Sequence, residues 1–172
     1  MKRTHGLFGL GILLMIFLAM MALMRLAAGD VKTLSGGQGI IDLTFGITPG
    51  RIKEALSGYG SKAGAYYRWA FYSVDMVYAF AYVSFYRCSI KSIVERCGIK
   101  GRAGELLPFI PVVGMVADLL ENTAMFILLS GSRSAVLMWA FTVFNIIKFV
   151  FVYSSLAIVI GGAAWLIKKR LS

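Results

Sequence analysis

Residues 106–129 read LLPFIPVVGMVADLLENTAMFILL, an apolar run of membrane-spanning length interrupted in its second half by Asp118, Glu121 and Asn122. About 20 predominantly apolar residues cross a ~30 Å hydrocarbon core, so length assigns a transmembrane helix. The acids argue against it: a charge at the bilayer centre costs about 2.5–3.5 kcal/mol, against roughly 0.3–0.6 kcal/mol recovered per aliphatic side chain. The two readings are reconciled when Asp118, Glu121 and Asn122 share one helical face and that face meets protein instead of lipid.

Three further apolar runs flank this one, at about residues 7–28, 66–86 and 135–167, and two of them carry a buried-charge problem of their own, Asp75 and Lys148. With 172 residues and 59% hydrophobic side chains, the chain is too apolar for an ordinary soluble domain. The expected fold is all-α, a four-helix transmembrane bundle forming one integral membrane domain over residues 1–172. The last run exceeds what one crossing needs, and Gly161-Gly162 is its expected soft point.

Charge placement orients the bundle. The net charge of +10 lies largely beside the apolar runs, which points to membrane orientation and excludes nucleic acid as a partner. Four crossings put Lys2, Arg3, the loop 87–105 with Arg87, Lys91, Arg96, Lys100 and Arg102, and the tail Lys168-Lys169-Arg170 on one side, which the positive-inside rule makes cytoplasmic. The expected location is the plasma or inner membrane, with both termini inside. Lys2, Arg3 and His5 ahead of the first run resemble a signal peptide, but the run is long enough to span and Arg25 interrupts any cleavage region, so retention is expected.

Residues 29–65 then face outward. Thr48 can cap a helix opening at Pro49, and Ile52, Ala55, Leu56 and Tyr59 recur on one face, predicting a short amphipathic helix at the outer mouth of the bundle. Asp42 reads here as one of three acids balancing Lys32, Arg51, Lys53 and Lys62. Gly36-Gly37-Gln38-Gly39 lacks the strand and helix context of a phosphate loop. Cys88 and Cys97 fall in the cytoplasmic segment and His5 is distant, so neither a disulfide nor a His/Cys metal site is expected.

Helix direction converts positions into depths, and Asp75, Asp118, Glu121, Asn122, Asn145 and Lys148 converge on one layer. Arg68, Tyr72, Asp75, Tyr78 and Tyr82 follow a helical stripe toward it, as do Thr142, Asn145, Lys148 and Ser155. Tyr66, Tyr67 and Trp69 read as an interfacial aromatic belt. Adding Arg25 and Arg68 to Lys148 makes three cations for three acids, a cluster that is neutral without a cofactor, and no cofactor is implied. Such a cluster either holds the bundle in register or forms a site for a small polar molecule, ion or lipid headgroup. An accessory or scaffold subunit of a larger membrane complex is the opposing reading. An intramembrane enzyme acting on a lipid is the third, although no nucleophile motif, phosphotransferase signature or histidine base accompanies the acids.

Asp42-x-x-Phe45-Gly46-x-Thr48, Leu56-x-x-Tyr59-Gly60, Tyr67, Asp75, Tyr78 and Asp118-x-x-Glu121-Asn122, together spanning residues 39–129, resemble the pattern of a family of small four-helix integral membrane proteins with no established activity. The resemblance implies that the outer segment and the intramembrane acids belong to one functional unit. It supplies no reaction.

Overall fold

The fold is taken from a computed structural model that describes residues 2–171, with side chains from Phe8 onward. The side chains of Lys2, Arg3, His5 and Leu7 lie outside the described residues. The chain is all-helical, with no strand among the described residues: α1 (Lys2–Leu34), α2 (Pro49–Gly58), α3 (Gly60–Tyr66), a π-helical turn (Tyr67–Phe71), α4 (Tyr72–Cys97), α5 (Gly101–Leu106), a 3₁₀ turn (Leu107–Phe109), α6 (Ile110–Leu129) and α7 (Ala135–Leu171). Three stretches are long and apolar enough to cross a membrane: Phe8–Leu34, Gly101–Leu129 and Ala135–Leu171. Helix α4 is not among them, because its tyrosines, serines and Asp75 dilute the apolar content.

Helix α1 continues past the expected end at Ala28. Met24, Ala27 and Val31 keep one apolar face buried for two more turns, and the chain breaks only where Gly36 adopts φ +68° and the Gly37 N–H caps the Lys32 carbonyl at 2.8 Å. The Tyr66 hydroxyl donates to Asp30 Oδ2 at 2.6 Å and ties this end to α3. Thr48 caps α2, accepting from the Arg51 N–H at 3.5 Å, with Pro49 in the first position. Ile52, Ala55 and Leu56 bury its apolar face.

The expected loop 87–105 is mostly helix. Ile90, Ile93 and Val94 are buried at helical spacing, so α4 runs on to Cys97 and stops where Gly98 takes the left-handed conformation, φ +68°. Helix α7 is continuous through Gly161-Gly162, which corrects the expected soft point. A Cβ on Gly162 would lie 2.4 Å from Ile93 Cγ2, so this glycine permits close approach to α4 instead of a bend.

Two apolar clusters stack along the bundle. The outer one joins α1, α2, the π turn, α6 and α7 through residues such as Val31, Ile52, Phe71, Leu128 and Phe141. The inner one centres on Ala79, Tyr82, Val83 and Tyr86, with Phe17, Val112, Met115, Leu119, Val152 and Val159 against them. In chain position on α4, α6 and α7, the buried acids and Lys148 fall between the two clusters.

Candidate functional site

Helices α6 and α7 are joined by the tight turn Ser130–Ser134, which makes them antiparallel neighbours. Gly114 lets them close further: a Cβ there would sit 3.3 Å from Phe151 Cβ. This approach faces Asp118 and Glu121, on successive turns of α6, toward Lys148 on α7. The Lys148 ammonium lies 2.5 Å from Glu121 Oε2 and 3.6 Å from Asp118 Oδ1, and donates to the backbone carbonyl of Asp42 at 3.0 Å. One turn earlier, Asn145 donates through Nδ2 to Glu121 Oε1 at 2.9 Å and to the Asp42 carbonyl at 3.3 Å, while its Oδ1 accepts the Gly46 N–H at 2.9 Å. Gly46 has φ +67°, a conformation glycine adopts without strain. On the other side, Asn122 Nδ2 donates to Asp75 Oδ2 and, at 3.4 Å, to Asp118 Oδ1.

The structure thus brings together Asp75, Asp118, Glu121, Asn122, Asn145 and Lys148, each under 9% exposed. It adds a fourth acid. Asp42, 1% exposed, is carried in from the outer segment between the buried Ile40, Ile41 and Ile47. Its Oδ1 makes no aligned hydrogen bond, and the buried Tyr67 hydroxyl faces it, likewise without one. Tyr82 repeats the arrangement beside Asp118. Burial pushes the Asp42 carboxyl up to about 6 against the opposing pull of Lys148. Burial, and then the Asp42 charge, push the Tyr59 phenol above its usual range; its hydroxyl donates to the Gly39 carbonyl at 2.8 Å.

The two extra cations do not join. Arg25 is exposed on α1, and the half-buried Arg68 donates to Ser130 Oγ at 3.3 Å, with its guanidinium 5.8 Å from the Trp69 ring and its buried Nε without a hydrogen-bond partner. The expected three-to-three balance is therefore corrected to four carboxyls around one ammonium. Arg68 leaves the expected stripe at the π turn. A wider turn at Tyr67–Phe71 keeps residues four apart in line, so the buried stripe is Tyr67, Phe71, Asp75, Ala79, Tyr82 and Tyr86. Arg68 and Tyr72 are rotated away, Tyr72 onto Phe126 at 5.5 Å between ring centres, and Tyr78 is half-buried against Phe17 at 5.9 Å. Tyr67 is correspondingly not an interfacial belt residue. Thr142 and Ser155 are buried but donate to their own helix, at Met138 and Phe151.

Above the cluster, Gln38–Thr48 and α2 enclose a cavity of about 330 Å³. Ile41 and Thr44, on either side of Asp42, line it. No three His, Cys, Asp or Glu side chains are grouped to hold a metal among the described residues. Comparison with protein families, curated proteins and solved structures finds no match to this chain.

Proposed function

We propose that this is a four-span membrane protein that binds or translocates a small polar molecule or ion at the cluster of Asp42, Asp75, Asp118, Glu121, Asn122, Asn145 and Lys148. Helix α4 is the fourth span in this reading. Its polar stripe is tolerable because Asp75, Tyr82 and Tyr86 face α6, α7 and α1 and not lipid. The arrangement of ends supports both termini on the cytoplasmic side of a plasma or inner membrane. Leu10 and Leu14 of α1, Arg96 of α4 and Leu166 of α7 line one cavity, so the basic segments they precede or follow share one end of the bundle.

The observation that carries the site is the charge count. Four buried carboxyls meet one buried ammonium, which leaves three formal negative charges unmatched by the chain. Register needs only paired groups, and an unpaired charge at that depth costs kilocalories. A surplus of this kind is met by something the protein takes up.

The reading is tested by native mass spectrometry from mild detergent on the full chain and on Asp75→Asn and Glu121→Gln. The expected result is a small adduct or lipid on the wild type that both variants lose while remaining folded and abundant. Variants that lose only abundance, or a stoichiometric protein partner retained by all three forms, would assign the cluster to scaffolding.

A further inference from the structure

We infer that the ligand taken up by this cluster is the proton, received from the outer face at Asp42; the inference rests on reading the cluster as an intramembrane site. Three observations carry it. First, the position a bound cation would occupy is already filled: the Lys148 ammonium lies between Glu121 and Asp118 and holds the Asp42 carbonyl, so a second cation there would meet repulsion. Second, the carboxyls around Lys148 do not share one set of hydrogen-bond partners. Asp75 is held by Asn122, Glu121 by Asn145 and Lys148, and Asp42 is carried by the outer loop, so each can gain a proton in a setting of its own. Third, orphaned groups nine-tenths buried or more aim into the cluster: Asp42 Oδ1 with Tyr67 Oη facing it, and Tyr82 Oη beside Asp118. A carboxyl oxygen that gains a proton becomes a donor as well as an acceptor, and can then donate to a neighbouring phenol oxygen with which it now makes no well-aligned hydrogen bond.

The groups facing the cluster come from every packed element: Asp42 and Tyr59 from the outer segment and the end of α2, Tyr67 from the π turn, Asp75, Tyr78 and Tyr82 from α4, Asp118 and Glu121 from α6, and Lys148 from α7. Lys148 is the one cation among them. The route is asymmetric. Outward, Ile41 and Thr44, which flank Asp42, line the cavity beneath α2; inward, the apolar side chains of Ala79, Val83, Met115 and Val152 lie beyond Asp75. Uptake converts carboxylate and proton to carboxylic acid, with no other bond made or broken.

Infrared difference spectroscopy of the full chain in a carbonyl-free detergent tests this directly. The chain has eight acids, and the four outside the cluster, Asp30, Glu54, Glu95 and Glu105, are exposed to solvent, so a protonated carboxyl band that is lost on substituting a cluster acid reports the cluster. The expected result is a carboxylic acid C=O band at neutral pH that shifts down in D₂O, disappears as pH is raised, and is diminished in Asp75→Asn or, where that variant does not fold, in Glu121→Gln. Absence of any protonated band in the wild type overturns the inference. When the band is absent but Na⁺ or K⁺ perturbs the carboxylate stretches, the proton is wrong and the wider site reading stands. When neither pH nor these cations changes the carboxyl bands, both fall.

Discussion

At the scale of single residues, the decisive one is Asp42. The groups that interrupt apolar runs, Asp75, Asp118, Glu121, Asn145 and Lys148, declare themselves in the sequence because nothing else explains a charge or amide in that company. Asp42 does not, since it sits among Lys32, Arg51 and Lys53 in a segment whose polarity suits water, and only tertiary folding buries it. Its burial has a pH signature. The carboxyl is raised from 3.8 to about 6 in the folded chain, so docking of residues 39–48 binds a proton more tightly than the undocked loop does. The contribution is fully present below about 4 and is lost as pH rises through about 6, amounting to at most about 3 kcal/mol. Hydrogen exchange of the 39–48 amides, corrected for intrinsic rates, is expected to speed up across that window in the wild type and to be flat in Asp42→Asn.

At the scale of elements, helix existence was legible and helix phase was not. The capped start of α2 at Thr48-Pro49 follows from side-chain chemistry alone. The π turn at Tyr67–Phe71 leaves no mark in composition, yet across it Tyr67 is buried and Arg68 only half-buried. Boundaries failed for a related reason: polar residues at the ends of α1 and α4 suggested loops, while a buried stripe on one face carried each helix on. The Gly162–Ile93 contact is likewise a tertiary fact. Gly162→Ala places a methyl 2.4 Å from Ile93 Cγ2, and overpacking of this kind costs about 1–3 kcal/mol. A lowered melting temperature in detergent is expected, with recovery when Ile93→Ala is added; no recovery would mean that the two helices do not meet there.

At the scale of the whole molecule, Leu10 of α1, Arg96 of α4 and Leu166 of α7 line one cavity, and the proposed orientation of that end is testable with the native thiols. Cys88 is exposed on α4 next to Arg87. In a Cys97→Ser background, a membrane-impermeant maleimide is expected to leave Cys88 unmodified in intact cells and to modify it once the membrane is opened; labelling from outside would invert the topology. The hydrogen bond from Gly46 to Asn145 spans 99 residues of chain, and this separation sets an order of events during biosynthesis. At about 5–20 residues per second, the outer loop waits roughly 5–20 s after its own synthesis before its receptor helix exists. Throughout that interval Asp42 has neither Asn145 nor Lys148 to dock against, and Lys148 is made after Asp75, Asp118 and Glu121. The carboxyl surplus is therefore assembled last, from the outside inward, and quality control of this protein has a single late step to inspect: whether the loop has found Asn145.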